Sequence, residues 1–270
     1  HSTAIPPPTA RTRPSNSDVA GEMTFWDHLD DLRGVLIRMA AVVALCAAGA
    51  FAAMPWIFDH IILAPCSPDF WLYSLLDSAG ATDAAAPMHI ELVSIELASQ
   101  FFTHMSAACW TAVVVAFPVI IYLLWSFVAP ALYEHEKRGM RRAFLLGNIM
   151  FYLGAAAGYA FVFPIALRFL AAYSLSPHIT PIVSLDSYMD NFFTIVLLMG
   201  AVFELPLMAW LLGSIGILHR SFFRQYRRHA IVALLIVAAL ITPTGDPFTL
   251  FAVFIPIYAL WELSARLVKE

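Results

Sequence analysis

Glu204 lies in Phe203-Glu204-Leu205-Pro206, near the middle of an apolar stretch with no Lys or Arg close in sequence. A charged carboxylate is costly in hydrocarbon, so an acid at that depth is a functional candidate by default. Its neutral form can donate a hydrogen bond to a polar group on a neighbouring helix. Pro206 has no N–H, which frees the carbonyl of Val202 one turn back and adds a second polar group at the same level. The plain alternative is a neutral Glu that closes a hydrogen bond inside the bundle.

Two further carboxylates stand out because their helical neighbours leave them unneutralised. Asp30 can pair with Arg33 at i+3, whereas Asp31 meets Gly34 and Val35 at i+3 and i+4. Glu134 has Lys137 and Arg138 at those offsets, whereas Glu136 meets Gly139 and Met140. Both acids sit beside basic residues. A carboxylate pair of this kind suits a guanidinium from another molecule, which it can hold by two parallel hydrogen bonds. The alternative is a pair of solvated surface acids that do little.

The elements that must position these groups are apolar spans. A helix needs about 20 apolar residues to cross the hydrocarbon core. Six candidates occur, at about 34–58, 101–132, 143–173, 192–218, 230–242 and 247–263. The last two are short. Before the first, Phe25, Trp26, Leu29 and Leu32 recur at helical spacing behind Thr24, an N-cap candidate, and predict an amphipathic helix at the membrane surface. The segment from Leu132 to Arg138 reads as a loop.

Lys and Arg fix the expected orientation. They fall in clumps: Arg11, Arg13, Arg33 and Arg38; Lys137, Arg138, Arg141 and Arg142; Arg220, Arg224, Arg227 and Arg228; Arg266 and Lys269. Clumps that alternate with apolar spans follow the positive-inside rule, which puts both termini in the cytoplasm. The first outer loop, about 59–100, carries six acids and no Lys or Arg. Arg168 is the exception, near the outer end of span three, where it can snorkel or pair with Asp186 or Asp190. Pro118, Pro164, Pro206 and Pro256 predict kinks. Gly154 and Gly158 form a GxxxG, read as packing within the bundle in preference to self-association.

The chain is 61% hydrophobic and only 13% charged, with mean hydropathy +0.77. A soluble domain carries about twice that charge fraction. The basic residues are used for topology, so no nucleic-acid partner is expected. Cys46, Cys66 and Cys109 and the nine histidines show no metal-ligand spacing, and no cofactor is implied. Residues 1–22 read as a disordered tail, with Met23 a candidate start and 23–270 one six-span domain. The two lysines follow no Gly-rich loop, and neither H-E-x-x-H nor G-x-S-x-G occurs, so neither ATP hydrolysis nor a hydrolase centre is indicated.

Over nearly the whole length after Met23 the chain resembles the TatC family, the large polytopic subunit of the twin-arginine protein translocase. The stretch Phe127 to Glu136, with Pro130, Leu132 and Tyr133 between, follows the family's Phe-x-x-Pro-x-Leu-Tyr-x-x-Glu signature. The segment His28 to Arg33 resembles its His-Leu-x-Glu-Leu-Arg. Phe151 to Gly154, Phe163-Pro164, Phe203 to Pro206, Thr242 to Pro247 and Ile255-Pro256 match its later spans.

The resemblance implies an all-α membrane protein with six transmembrane helices in a concave, glove-like bundle, helices five and six being short. It implies a receptor for signal peptides with a consecutive arginine pair, in the bacterial inner membrane, powered by the proton-motive force. Asp31, Arg33, Phe127, Leu132, Tyr133, Glu136 and Arg138 would form the signal-peptide site. Glu204, Pro206, Thr242 and Asp246 would serve the partner helix and the intramembrane region, and Pro65 and Phe101 the outer loop. Partners would be TatA-type and TatB-type single-span subunits and folded cargo, with several copies in a TatB–TatC complex. Asp31 stands where the family usually has Glu and so has a shorter reach. Leu250 stands where some members have Gln, leaving Thr249 as the nearby polar residue. A proton-coupled solute transporter built on Glu204 is the alternative. Such proteins need several convergent polar groups and paired broken helices, and Glu204 is nearly alone, with no internal repeat. An intramembrane enzyme would need a nucleophile–base pair or a metal set, and neither is seen.

Overall fold

The computed structural model describes residues 25–78, 90, 92–128, 134–172, 176, 182–214, 216, 218–242 and 246–268. At 25–29, 76–77, 128, 134–143, 172 and 214 it describes the main chain alone. The expectations for the 1–22 tail, Thr24, Leu132 and Tyr133 lie outside these residues.

Helix α1 (Phe25–Ile57) is one continuous element of 33 residues. The expected surface helix and first span are therefore fused. Gly34 is the only weak helix former at the junction, and its cost of about 1 kcal/mol does not outweigh propagation of a helix already nucleated. A π-helical turn (Phe58–Ile62) and a 3-10 turn (Ala64–Cys66) follow, then α2 (Trp71–Ser78), strand β1 (Leu92–Val93) and α3 (Ser99–Val128). Helix α4 (Glu134–Ala157) begins inside the segment read as a loop, so Glu134, Glu136 and Arg138 belong to its first turns. Its continuation widens into a second π turn (Gly158–Val162) and resumes as α5 (Phe163–Ala172). Each π turn is followed within a few residues by a proline, Pro65 or Pro164. A residue with no N–H cannot continue the regular ladder, and the wider turn absorbs the mismatch.

Strand β2 (Val183–Ser184) leads into α6 (Leu185–Val202), which starts seven residues before the expected position 192. Ser184 caps it, accepting a hydrogen bond from the Ser187 N–H. Leu92 pairs with Val183 and Val93 with Ser184 in a parallel ladder, an exception to the all-α expectation that ties the segment before α3 to the segment before α6. After a turn at Phe203–Glu204 come α7 (Leu205–Ser214), α8 (Arg220–Gln225), α9 (Arg227–Ile241) and α10 (Pro247–Leu267). With 15 residues α9 is about 22 Å long, short of about 30 Å of hydrocarbon. The expectation that the last helix is also short is corrected: α10 has 21 residues, about 31 Å. Pro256 does not end it.

Among the described residues five helical stretches are long and apolar enough to cross a membrane: Asp30–Leu75, Ser99–Phe127, Phe144–Ala171, Leu185–Gly213 and Pro247–Leu267. Even the most enclosed, Phe144–Ala171, is less than half buried over its apolar part. Outward faces carry Leu45, Trp56, Val115, Leu145, Val232, Ile236, Leu240 and Ile255. So much exposed apolar surface is stable against hydrocarbon or a partner, not against water.

The largest group of buried residues lies toward one end of the bundle. Met54 and Ile62, Ala107 and Ala108, Val162 to Leu167, Tyr188 to Met199, Leu234 to Ile241 and Val253 to Ile257 form one cluster. These lie at the end of α1, in the first third of α3, at the second π turn and the start of α5, along α6, in the second half of α9 and in the first half of α10. Tyr188 donates to the carbonyl of Ile62 and Tyr159 to that of Ile61, pinning the π turn into this end. A separate small cluster, Ala209, Phe223 and Val268, joins α7, α8 and the end of α10.

Candidate functional site

Helices α1 and α3 pack along each other, and their pairing is antiparallel. Phe51, late in α1, stacks on His104, early in α3, with ring centroids 4.0 Å apart. The His104 ring also hydrogen-bonds the Phe51 carbonyl at 2.9 Å. Helices α3 and α4 are antiparallel too. The Tyr152 hydroxyl donates to the Val114 carbonyl at 2.9 Å, Phe117 stacks on Phe151 at 3.6 Å, and Trp125 meets Phe144 at 4.8 Å. The start of α1, the end of α3 and the start of α4 therefore share one end of the bundle. Asp31 and Arg33 are exposed on the first turns of α1, and Phe127 is half-buried at the end of α3. Glu136 and Arg138 are on the first turns of α4 by their main chain. Nearby, Arg38 folds back to donate to the Gly34 carbonyl at 3.1 Å.

Glu204 occupies the break between α6 and α7. The Phe203 N–H donates to Met199 O at 3.0 Å, the Glu204 N–H to Ala201 O at 3.2 Å, and the ladder resumes with Met208 N to Glu204 O at 2.9 Å. Pro206, buried, supplies no N–H, and the kink expected there is present as a full interruption. The span begins at Leu185 rather than 192, so Glu204 sits past its midpoint, toward the end that carries α8.

The half-buried carboxyl lies over Gly147 of α4: a methyl placed on Gly147 would stand 3.1 Å from Glu204 Oε2 and 2.9 Å from Leu207 Cδ2. Glu204 Oε1 is buried with no hydrogen-bond partner among the described residues, and so is Oδ1 of Asn148 on the adjacent position. Asn148 uses its Nδ2 to donate to Phe144 O at 2.9 Å. Sequence reasoning passed over Asn148; a polar side chain one residue from a glycine in an apolar span was the available signal.

The niche is built by small residues. Gly147, Gly154 and Gly158 line one face of α4 and its π turn. At Gly154 a Cβ would come within 2.5 Å of Met199 O and 2.6 Å of Phe203 Cβ; at Gly158 it would come within 3.0 Å of Met199 Cβ. In return Phe151 fills the space over Gly200, where a Cβ would meet its ring at 2.8 Å. The GxxxG thus serves packing within the bundle, as expected.

The remaining site residues have roles at the tightly packed end. Pro65 is buried, and its carbonyl accepts from the Tyr73 hydroxyl at 2.8 Å. Phe101 is exposed beside Phe102. Thr242 is buried, its hydroxyl donating to Ala238 O at 3.0 Å. Asp246 caps α10, accepting from the Thr249 N–H at 2.7 Å. The Thr249 hydroxyl itself is buried without a partner among the described residues. Asp186, considered from sequence as a partner for Arg168, accepts from Ser99 at 2.7 Å and Thr103 at 3.1 Å, joining α6 to α3. Arg168 lies over the Tyr73 ring at 5.3 Å.

Residues 27–256 match the family model described as TatC, Sec-independent protein translocase protein. Sec-independent protein translocase protein TatC of Deinococcus radiodurans is 32% identical over 99% of this chain and 93% of its own length. The TatC protein of Blattabacterium sp. subsp. Periplaneta americana is 30% identical over 90% of this chain and 94% of its own. A crystal structure of twin arginine translocase receptor TatC superposes with a TM-score of 0.70 at 29% identity, covering 89% of this chain and 97% of that one. A second, in DDM, gives 0.72 over 90% and 100%.

Proposed function

The chain belongs to the TatC family of Sec-independent protein translocase proteins, and on that premise we propose that it is the signal-peptide receptor and core subunit of a twin-arginine translocase. The family is one of translocase receptor subunits and not of catalytic enzymes, and this member is a membrane protein with several apolar helices. In our reading all six expected spans cross the cytoplasmic membrane, α9 by way of a locally thinned bilayer. Both termini are cytoplasmic and the bundle is open toward that side, which the placement of the largest buried cluster, away from the start of α1 and the end of α3, supports. The proton-motive force drives export of folded cargo.

The observation that carries the receptor reading is the meeting of three chain segments at one end of the bundle. Asp31 on α1, Phe127 on α3 and Glu136 on α4 are far apart in sequence, and the two antiparallel packings bring their helix ends together. Asp31 and Glu136 receive the arginine pair, with Arg33, Phe127, Leu132, Tyr133 and Arg138 around them. Glu204, at the break that Pro206 makes, presents its unpartnered oxygen to a polar residue on the single membrane helix of a TatA- or TatB-type subunit.

The test is photocrosslinking from positions 31 and 136 to a signal peptide with its arginine pair intact or replaced by lysines. Crosslinks that need the arginines are expected. Their absence in both cases, with the protein inserted and partners present, would reject the receptor reading. Normal export by an Asp31→Ala/Glu136→Ala double variant would reject it equally.

A further inference from the structure

At the end of the bundle formed by α7, α8 and the end of α10, a cleft of about 680 Å³ opens between α8, α9 and α10. Arg220, Arg224, Arg227 and Arg266 line it together with Ser221, and among the described residues the lining holds one carboxylate, Glu262. That carboxylate is already engaged. Glu262 Oε1 accepts from Arg227 Nη2 at 2.6 Å, from Arg227 Nε at 2.7 Å and from the Tyr258 hydroxyl at 2.9 Å. The lock holds α9 to α10 and fixes one wall of the cleft, while Arg227 stays 56% exposed. Phe223, buried against Trp261 with ring centroids 4.8 Å apart, forms the floor.

Excess positive charge in a concavity with apolar walls focuses the field on an anion. Residues serving only orientation need no shared cleft; these four converge on one. The rim adds a second chemistry. Phe223 and Ala265 line the cleft, and the chain neighbours of its lining residues, Phe222, Tyr226, Leu263 and Leu267, are 39–44% exposed. A soluble anion has no use for that rim, whereas a molecule with a phosphate head and hydrocarbon tails has.

We propose that this cleft binds the phosphodiester headgroup of an anionic phospholipid, its acyl chains lying along the apolar rim. Arg224, Arg266 and the free side of Arg227 contact the phosphate, and Ser221 donates a hydrogen bond to it. Basic pockets between membrane helices bind headgroups in this way. The leaflet, and only the leaflet, rests on the orientation proposed above: with the basic ends cytoplasmic, it is the inner one.

The detergent-purified full chain would be titrated with dioctanoyl phosphatidylglycerol, dioctanoyl phosphatidylcholine and inorganic phosphate, and bound lipid counted by native mass spectrometry. Phosphatidylglycerol should be retained about tenfold better than phosphatidylcholine. Arg224→Gln/Arg266→Gln should remove the preference, and Arg228→Gln, outside the cleft, should keep it. Should the double variant fail to fold by circular dichroism, Ser221→Glu at an exposed position must abolish the preference instead. Equal retention of the two lipids, or a preference that survives these variants, overturns the proposal. Displacement of the lipid by equimolar inorganic phosphate would make the cleft a free-phosphate site. Binding of an oligo-glutamate peptide without any lipid preference would make it a dock for an acidic protein segment, and both results also overturn it. Labelling of Ser221→Cys by an impermeant maleimide from the cytoplasmic face supports the inner leaflet. Labelling from the outer face alone overturns the orientation and leaves the lipid preference standing.

Discussion

Glu204 and the glycine beneath it form a unit whose two halves can be separated by substitution. If the neutral carboxyl acts by hydrogen bonding, Glu204→Gln keeps a donor and an acceptor at the same place, whereas Glu204→Ala keeps neither. Glu204→Gln should preserve crosslinking to a single-span partner helix and most export, and Glu204→Ala should lose both while signal-peptide crosslinks remain. Equal loss in the two variants would show that charge, and not hydrogen bonding, is needed. Asp31 makes a second residue-scale case. Its side chain is one methylene shorter than the Glu usual in the family, so Asp31→Glu should tighten binding of a twin-arginine peptide by about threefold through closer charge-assisted contact. Titration of a fluorescent peptide would read it, and weaker binding would mean the main chain already compensates. Glu204 was legible in the sequence because an acid in an apolar run is anomalous wherever it packs. Its partner Gly147 was not, because 57 residues separate them and only the α4–α6 packing makes them neighbours.

The glycine face of α4 is where helix propensity and packing oppose each other. Gly154 has a backbone oxygen 2.5 Å from where a Cβ would stand, whereas Gly49 on the outward side of α1 has nothing within 4 Å. Gly154→Ala should therefore lower stability by about 1–3 kcal/mol through overpacking. Gly49→Ala should raise it by up to about 1 kcal/mol through helix propensity alone. Thermal unfolding in detergent should show Tm moving in opposite directions, and a fall in both would remove the packing argument. Asp186 is the corresponding polar fastening. With hydroxyls of Ser99 and Thr103 both donating to it, Asp186→Asn should cost about 1.5–3 kcal/mol, the range for hydrogen bonds to a charged group. A Tm unchanged from the parent would show that the pair is solvated instead. The GxxxG spacing and the prolines announced close packing and kinks. They did not announce π turns, which arise from fitting a proline into a helix that has to stay docked on both sides of it.

For the whole molecule the central issue is orientation. The proposed arrangement puts Arg33 and Arg266 on one side of the membrane and Asp69 on the other. Cysteines introduced at positions 33 and 266 should react with an impermeant maleimide from the cytoplasmic face and one at position 69 from the outer face. Positions 33 and 266 labelling from opposite faces would require an odd number of crossings and would show that α9 does not span. That helix is the sensitive element. Its 15 residues present Val232, Ile236 and Leu240 outward, 57–75% exposed, and bury Ala230, Leu234, Ala238 and Ile241. It has the surface of a membrane helix without the length.

The sequence by itself determined the membrane class, most of the helices and the family, and it singled out the three candidate acids. Each is a local property: hydropathy, charge placement and motif order are read along the chain without knowing what touches what. Only the tertiary structure decided that α1 runs unbroken from Phe25, that α4 begins at Glu134 and that α10 reaches Leu267, because helix ends depend on caps and neighbours as well as on composition. Only it placed Gly147 under Glu204, joined Asp186 to Ser99, and gathered four arginines into a cleft where Glu262 is already bound by Arg227. These are contacts between residues from 35 to 87 positions apart, and the antiparallel packing of helices, which sets them, leaves no periodic trace in the chain.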